Sequence, residues 1–186
     1  MQKVKIILVV FFYVIVAHSQ QYPVDTSYTI KGTYTKLIKK YPFITIPEVK
    51  PNPDVQEMFD LVYNKEKERV LHFDAFVNTK KKKNPAVILI HGGGWRSGNK
   101  SQMQFIGKEI AAKGYNTFSI EYRLSLEAKY PTGVIDVKNA IKFIKDNASK
   151  FNVDPNKIAI LGCSAGGQMA ALIGTTNNNP IFEDKN

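Results

Sequence analysis

The sequence of 186 residues contains a single cysteine, Cys163, and only three histidines. Small secreted proteins that depend on disulfide bonds contain several cysteines in pairs, so this sequence excludes a disulfide framework. Its stability must come from a packed core, and hydrophobic residues, which make up 44% of the chain, are numerous enough to form one. The length suits one ordinary domain.

The N-terminal residues have the pattern of a secretory signal peptide. Lys3 and Lys5 stand before an apolar run from Ile6 to Ala17, and small residues occupy the positions that signal peptidase reads. We predict a signal peptide over residues 1–19, cleaved near Ser19–Gln20, and therefore a secreted or periplasmic protein. Because the run is shorter than the roughly 20 apolar residues of a membrane-spanning helix, a retained membrane anchor is the less favoured alternative. After cleavage no association with a membrane is expected.

The charge balance is basic, with a formal net charge of +10. Removal of residues 1–19 would take away two lysines and no acids, which lowers this charge to +8. The basic residues are scattered along the chain except for the cluster Lys80–Lys83, which precedes Asn84-Pro85 and is typical of a solvated loop. No nucleic-acid-binding motif is present, so no nucleic-acid partner is predicted.

Two regions follow the predicted signal peptide. Residues 20–59 are rich in Tyr, Thr and Pro without a helical period, and they predict an extended lead-in segment. Residues 60–186 alternate between apolar strand patterns and amphipathic helix patterns. Strands are predicted at 60–63, 70–77, 86–90, 115–121 and 157–161, helices at 101–113, at 131–151 and from 164 onwards, and a turn at 152–156. Repeated strand–helix–strand units predict an α/β domain, with a mostly parallel sheet flanked by helices.

A serine lies in the pattern Gly-x-Ser-x-Gly, at Gly162–Gly166. The pattern alone is weak, but here it follows the predicted strand 157–161 and begins an apolar helix. A nucleophile elbow requires this context, because the serine must sit on a tight strand-to-helix turn and the glycines remove side chains that would clash there. We therefore predict that Ser164 is a catalytic nucleophile at the carboxyl edge of the sheet. Cys163 beside it is expected to be a small packed residue and not a reactive thiol.

Three successive glycines, within His91–Trp95, follow the predicted strand 86–90. Such a run costs backbone entropy and is expected where bare N–H groups approach a ligand. We predict that the N–H groups of Gly92, Gly93 and Ala165 form an oxyanion hole. A phosphate-binding glycine loop and a simple tight turn are the alternatives. The residues expected to support this loop are His91, Gly94 and Trp95.

Several segments outside these two motifs complete a recognisable set. The matching segments are His91–Trp95, Glu121–Leu124, Tyr130-Pro131, Asp136, Asp154-Pro155 and Gly162–Gly167. With them, residues from about 60 to 176 resemble secreted bacterial esterases and lipases of the α/β-hydrolase superfamily, in particular the group that includes feruloyl and acetylxylan esterases. The hormone-sensitive-lipase branch is more distantly similar. The resemblance implies the α/β-hydrolase fold and hydrolysis of carboxylic esters through an acyl-serine intermediate, without a cofactor or metal.

Four other polar residues invite a functional interpretation. Arg123 and Asp136 form either an internal ion pair that fixes a loop beneath the site or a solvated pair. His72 and Asp74 lie two positions apart on the predicted strand 70–77, so they share one face of the sheet. We interpret both as surface residues that lie away from the carboxyl edge.

After Ser164 the sequence contains Glu183 and Asp184 but no histidine. A serine nucleophile of this fold takes its acid, and then its histidine base, from positions later in the chain. The histidines of this chain are His18, His72 and His91. We therefore expect the catalytic acid and base to come from a missing C-terminal half. On this expectation the domain is C-terminally incomplete, with about five of the eight strands that the resemblance implies.

The function predicted from these patterns is carboxylic-ester hydrolysis, in which acyl groups are removed from carbohydrate esters outside the cytoplasm. The expected partner is a small-molecule or polysaccharide ester. One alternative is a serine peptidase of the prolyl-oligopeptidase type, against which the loop at His91–Trp95 argues. The other alternative is a non-catalytic remnant, which the missing histidine favours for these 186 residues taken alone.

Overall fold

The structure is a computed structural model that describes residues 25–66 and 69–184. The strands in these ranges are β1 (Val55–Glu66), β2 (Arg69–Asn78), β3 (Asn84–Ile90), β4 (Asn116–Ile120) and β5 (Val153–Gly162). The α-helices are α1 (Ile30–Leu37), α2 (Gln104–Ala112), α3 (Thr132–Asp146) and α4 (Ala165–Thr175), and short 3₁₀ helices occupy Lys100–Met103 and Pro180–Phe182. The predicted signal peptide over 1–19 and its cleavage site lie outside the described residues and stay a prediction.

The strands form a single sheet in the order β1-β2-β4-β3-β5. β3 pairs in parallel with β4 and with β5, whereas β2 runs antiparallel to both of its neighbours. Two of the four pairings are therefore antiparallel and two are parallel, so the sheet is mixed, whereas the sequence predicted a mostly parallel one. The chain moves from β3 to β4 on one side and then crosses back to β5 on the other. Ligands of open α/β sheets bind at such a reversal, outside the carboxyl ends of the strands.

The helices cover both faces of the sheet for a topological reason. The connections β3–α2–β4 and β4–α3–β5 are both expected to be right-handed. Because they cross the sheet in opposite directions, α2 lies on one face, and α3 and α4, which contact each other, lie on the other. The larger core lies under α3 and α4 and includes the fully buried Phe73, Ile88 and Val137. On the α2 face, Gly107 allows a close approach, since a Cβ there would lie 3.0 Å from Leu89 Cδ1.

The helices agree with the predictions except at their ends. The predicted helix at 101–113 is a 3₁₀ turn followed by α2, and the chain leaves it through Gly114, which has a φ of 97°. α3 ends at Asp146 and not at 151, because turns follow it and bury Phe151 in the core. None of the helices in the described ranges is long and apolar enough to span a membrane.

The lead-in segment is not extended throughout, which corrects the prediction for residues 20–59. Thr29 accepts a hydrogen bond from the backbone N–H of Gly32 and so caps α1. This helix has no buried residue, although Ile30, Tyr34 and Leu37 are spaced as on one helix face. The end of the segment, from Val55, already belongs to β1, which is longer than the strand predicted at 60–63.

β5 is longer than the strand predicted at 157–161, and it is partly exposed. It begins at Val153, and the predicted turn at 152–156 becomes an irregularity in its pairing with β3. Because β5 is the last strand in the sheet order, Ala159 is exposed, and Ile158 and Ile160 are only half-buried. A continuous apolar run therefore did not distinguish this edge strand from one covered on both faces.

Asp74 is not the surface residue that we predicted, and His72, which is partly exposed, does not lie away from the carboxyl edge. Asp74 is fully buried, and its carboxylate accepts hydrogen bonds from Lys100 Nζ at 2.6 Å, from Gln104 Nε2 at 2.8 Å and from the backbone N–H of Asp60. A buried carboxylate with three donors serves as a structural anchor. His72 does lie at the carboxyl edge, because β2 is antiparallel to β4 and its first residues adjoin the end of β4.

Candidate active site

The chain segments that follow β3 and β5 meet at the carboxyl edge of the sheet, where the strand order reverses. The Cys163 N–H donates a hydrogen bond to the Ile90 carbonyl at 3.1 Å and joins the two strand ends. Ser164 follows with a φ of 52° and a ψ of −117°, a backbone conformation that side chains rarely allow, and it directly precedes α4. The turn leaves Ser164 exposed. Cys163 is exposed as well, which corrects the expectation that it packs.

Two glycines of this elbow are required by close backbone contacts. A Cβ at Gly162 would lie 2.1 Å from the Gly166 carbonyl oxygen, and a Cβ at Gly166 would lie 2.3 Å from the Ile90 carbonyl oxygen. Both distances are shorter than van der Waals contact, and both approached atoms belong to the backbone. The Gly-x-Ser-x-Gly spacing therefore lets α4 pack directly on the ends of β3 and β5.

The glycine loop, residues 91–95, lies against the elbow. A Cβ at Gly92 would lie 2.8 Å from the Cys163 carbonyl oxygen and 3.3 Å from Ser164 Cβ. Gly93 has a φ of 122°, and its carbonyl accepts hydrogen bonds from both the N–H and the hydroxyl of Ser97. Only glycine allows the loop to turn this tightly and to come this close to the serine.

Three N–H groups at this place have no hydrogen-bond partner among the described residues. Those of Gly92, Gly93 and Ala165 make no hydrogen bond within the described part of the chain. Ala165 is the first residue of α4, where the aligned peptide dipoles add partial positive charge. Free N–H groups at such a position suit an anionic oxygen. The arrangement is therefore chemically suited to the charge that develops on an ester carbonyl under attack.

His91 is held by contacts to the glycine loop and to Tyr122, which lies just after β4. Its buried ring stacks on Tyr122, with ring centroids 4.4 Å apart, and donates from Nδ1 to the Gly92 carbonyl at 2.8 Å. The Tyr122 hydroxyl donates to the His91 carbonyl at 3.0 Å. Burial lowers the pKa of His91, and the bond to the Gly92 carbonyl offsets part of this effect.

Acidification is expected to destabilise the protein through His91. Because the pKa of this ring is lower in the folded than in the unfolded chain, the unfolded state takes up its proton first as the pH falls below about 6.5. Stability is therefore retained above that pH and is lost as the pH falls towards the folded pKa. Urea unfolding over a series of pH values measures this loss. The control is His91→Asn, whose side-chain amide can donate in place of Nδ1 but does not titrate. This variant should lose less unfolding free energy on acidification than the parent protein. Equal losses in the two proteins would contradict the prediction.

A buried ion pair holds the loop between β4 and α3. Asp136 is fully buried and accepts hydrogen bonds from the Arg123 backbone N–H at 2.9 Å, from its Nε at 2.9 Å and from its Nη2 at 2.6 Å. Of the two alternatives that the sequence left open, the internal pair is the one that forms. Two residues further on, the Ser125 N–H donates to the Trp95 carbonyl at 2.8 Å. The pair thus fixes a segment that contacts the end of the glycine loop.

Sequence reasoning missed a contact between the lead-in segment and the residues just after the glycine loop. Asp25 forms a parallel bridge with Ser97, and its carboxylate accepts a hydrogen bond from Arg96 Nε at 3.0 Å. Gln102 donates from Nε2 to the Tyr28 carbonyl at 3.3 Å. Asp25 and Arg96 are 71 positions apart, so no local sequence pattern predicts their contact. The lead-in segment is therefore part of the surroundings of the site.

No described side chain donates to or accepts from the Ser164 hydroxyl. His72 is on β2, three strand positions from β5 and so about 14 Å away across the sheet. Glu183 and Asp184 contact side chains of α3. Within the described ranges, His72, His91, Glu183 and Asp184 therefore make no hydrogen bond to the Ser164 side chain. Within the same ranges no group of three or more His, Cys, Asp or Glu side chains is placed to hold a metal ion.

Two cavities border the elbow. One, of about 560 Å³, lies between the glycine loop, α3 and α4, and we call it the aromatic cavity; its lining includes Trp95, Tyr122, Lys129, Tyr130, Gln168 and Met169. The other, of about 620 Å³, lies between the lead-in segment and α2, and we call it the lead-in groove; its lining includes Ile30, Ile46, Val49, Met103, Ile106 and Cys163. The two cavities are walled by helices on opposite faces of the sheet, and Ser164 lines neither of them.

Solved structures of esterases share this architecture. A truncated form of a carbohydrate esterase from gut microbiota matches with a TM-score of 0.61 and 31% identity, over 69% of this chain and 47% of that one. The thermophilic esterase Est2 of Thermogutta terrifontis matches with a TM-score of 0.58 and 27% identity, over 68% of this chain and 48% of that one. The protein therefore has the predicted α/β-hydrolase fold, of which the described residues form five strands.

Curated relatives are esterases too. Esterase LipC of Mycobacterium tuberculosis is 39% identical over 100 residues, which are 53% of this chain and 25% of LipC. An arylesterase of Saccharolobus solfataricus is 39% identical over 93 residues, which are 50% of this chain and 30% of that protein. The chain thus spans between a quarter and a third of the length of these two relatives. The sequence profile of the BD-FAE family matches residues 73–186, more than half of the chain, and the chain belongs to that family.

Proposed function

We propose that this chain carries the nucleophile and the oxyanion hole of an exported serine esterase, which cleaves carboxylic esters through an acyl-serine intermediate. One observation carries the proposal: an exposed serine with a strained backbone stands against a glycine loop whose N–H groups are free. The esterases among its relatives support the reaction type. They give no such support to a peptidase.

In the proposed reaction, Ser164 Oγ forms a bond to the ester carbonyl carbon, and the carbonyl electron pair moves onto the oxygen. The N–H groups of Gly92, Gly93 and Ala165 stabilise this oxyanion, each lowering the barrier by roughly 3 kcal/mol. Collapse of the tetrahedral intermediate breaks the bond to the alcohol oxygen, which leaves with the proton released by the serine. Water then hydrolyses the acyl-serine by the same steps.

Proton transfer needs a group other than the described side chains. None of them bonds to the Ser164 hydroxyl, and His91 already donates its Nδ1 proton to the loop carbonyl of Gly92. We assign the acid and base to another part of the protein. The described residues contribute the attack geometry and the stabilisation of charge.

We propose a carbohydrate as the alcohol half of the ester. The aromatic cavity presents Trp95, which is 44% exposed, and Tyr130, which is 72% exposed, next to the polar side chains of Ser125, Lys129 and Gln168. Sugar rings have apolar faces that stack on exposed aromatic rings, and hydroxyls that need polar partners. The match to a carbohydrate esterase supports this choice. Acetylated oligosaccharides should quench the fluorescence of Trp95, the only tryptophan of the chain; unchanged emission would argue against it.

Labelling with paraoxon tests the nucleophile. Esterase 2 of Thermogutta terrifontis has been solved phosphorylated by paraoxon, and phosphorylation of a serine requires the same attack by its oxygen as acylation does. We expect one phosphoryl group on Ser164, located by peptide mass spectrometry, and none in Ser164→Ala. Added imidazole should accelerate the labelling, because it supplies an external base.

The matched control is Ser149→Ala, which removes an exposed serine on the turn before β5. This variant should be labelled at the same rate as the parent protein. Labelling that persists in Ser164→Ala, or that falls equally in both variants, would refute the assignment of Ser164.

A further inference from the structure

The amino ends of the parallel strands, opposite to the edge at which Ser164 lies, carry a group of exposed lysines. Three connecting segments lie there, at 79–83 before β3, at 113–115 before β4 and at 147–152 before β5. The exposed lysines of these segments that have no ion-pair partner among the described residues are Lys81, Lys82, Lys83, Lys113 and Lys150. We call these five side chains the lysine face.

Three buried asparagines, Asn78, Asn84 and Asn116, fix these segments to one another. Asn116 accepts on Oδ1 from the Asn78 N–H at 2.9 Å and donates from Nδ2 to the Asn152 carbonyl at 3.0 Å. Asn84 donates from Nδ2 to the Lys81 carbonyl at 3.1 Å, and its N–H donates to the Asn152 carbonyl at 2.7 Å. The segments that carry the lysines therefore keep a fixed position relative to one another, and their charges stay grouped although like charges repel.

The acidic side chains on the same segments and elements do not balance the lysine face. Asp54 pairs with Lys80 at 2.7 Å, and Asp154 lies 3.5 Å from Lys157. Glu109, on α2, is exposed and makes no ion pair within the described ranges. Five positive charges therefore share one exposed surface, and such a surface attracts a polyanion through the sum of its charges.

The side chains of this surface suit the carboxylates of acidic sugars. Lysine is a compact, hydrated charge on a flexible stem, whereas planar bidentate binding of phosphate is characteristic of arginine, which the lysine face does not contain. Tyr115 is 42% exposed and lies two positions after Lys113. An exposed aromatic ring packs against the apolar face of a sugar ring. Lysines beside such a ring favour a chain of acidic sugars over a phosphate-rich polymer.

We propose that the lysine face and Tyr115 bind an anionic polysaccharide whose charge comes from uronic acids. The seven residues of β3 separate the two ends of the sheet by about 20 Å. A polymer held at the lysine face therefore leaves Ser164 accessible to an ester group on a neighbouring part of the same material. This binding does not depend on ester hydrolysis, so either activity can be refuted without the other.

Calorimetric titration of the chain with sodium polygalacturonate tests this proposal. We expect binding that weakens about tenfold or more between about 0.02 M and 0.2 M salt, because exposed charges are screened by ions. Dextran, which has sugar rings but no charge, should not bind detectably under the same conditions. Absence of binding to polygalacturonate at low salt would overturn the proposal.

A triple substitution of the longest lysine run locates the binding surface. The variant with Lys81→Gln, Lys82→Gln and Lys83→Gln should bind polygalacturonate about tenfold more weakly, since each exposed charge pair contributes a factor of about two to three. Because all three side chains are exposed, its unfolding in urea should match that of the parent protein. Labelling of Ser164 by paraoxon should also be unchanged.

The matched control removes the same net charge from three exposed lysines of the lead-in segment. It carries Lys36→Gln, Lys39→Gln and Lys40→Gln. This variant should bind polygalacturonate as the parent protein does. Equal weakening in both triple variants would overturn the proposal, because the net charge of the chain would then account for binding without the lysine face.

Tyr115→Ser separates sugar binding from the binding of charge alone. It should weaken binding to polygalacturonate about threefold and leave binding to poly-L-glutamate, a polycarboxylate without sugar rings, unchanged. Tyr28→Ser changes a tyrosine that is 43% exposed in the lead-in segment, and it should affect neither polymer. An unchanged affinity of Tyr115→Ser for polygalacturonate would refute the proposal. Tighter binding of the parent protein to phosphatidylserine vesicles or to RNA than to polygalacturonate would refute it as well.

Discussion

Gly166→Ala is expected to destabilise the protein by about 3 kcal/mol or more and to prevent the elbow from forming. The new Cβ would lie 2.3 Å from the Ile90 carbonyl oxygen and 2.7 Å from that of His91. Ile90 ends β3, which is paired on both sides with β4 and β5, so its carbonyl cannot move aside without breaking sheet hydrogen bonds. Urea unfolding measures the loss, and labelling of Ser164 by paraoxon should fall with it.

Gly174→Ala, in the same helix, is the control. A Cβ at Gly174 would meet no heavy atom within 4 Å, so the substitution should raise stability by about 0.5–1 kcal/mol through the higher helix propensity of alanine. A loss of stability in Gly166→Ala and a gain in Gly174→Ala would separate the effect of a close backbone contact from that of helix propensity. Similar losses at both positions would show that the elbow does not need the glycine.

Asp136→Asn is expected to cost about 3 kcal/mol, because it removes the charge of a fully buried carboxylate that accepts hydrogen bonds from the Arg123 guanidinium and backbone N–H. Asp136 is itself fully buried and holds Arg123 through both the side chain and the backbone N–H. Its loss should also loosen the segment that donates from Ser125 to the Trp95 carbonyl. Trp95 is the only tryptophan, so its fluorescence reports the glycine loop directly while urea unfolding reports global stability.

Asp146→Asn provides the comparison on the same helix. Asp146 pairs with Lys142 one turn away, and both side chains are mostly exposed, so the loss of this pair should cost less than about 0.5 kcal/mol. Trp95 emission should not change in this variant. If Asp136→Asn lowers stability without changing Trp95 emission, the ion pair does not hold the glycine loop.

Much of the sheet and its helices could be predicted because the patterns that specify them are local. The apolar run that became β3, the amphipathic period of α3 and the glycine after α2 each lie within one short window of sequence. The two loops of the candidate site could be located for the same reason, since each directly follows a strand. The two loops could be predicted to lie together because the carboxyl ends of parallel strands lie at the same edge of a sheet.

Side chains whose environment depends on distant partners could not be predicted. Strand alternation predicts that Asp74 lies on the surface, but Lys100 and Gln104, in the connection between β3 and β4, donate hydrogen bonds to its carboxylate and bury it. The exposure of β5 depends on its place in the strand order and not on its own apolar sequence.

By itself the sequence determined that the chain alternates strands and helices, that Ser164 occupies a strand-to-helix turn and that three glycines follow another strand. Only the tertiary structure decided that Gly92 lies against Ser164, that Arg123 and Asp136 pair internally, and that the lead-in segment forms a groove ending at Cys163. The division has a physical reason. Backbone conformation and apolar periodicity are properties of neighbouring residues, whereas burial and ion pairing arise between surfaces that folding brings together across long stretches of chain.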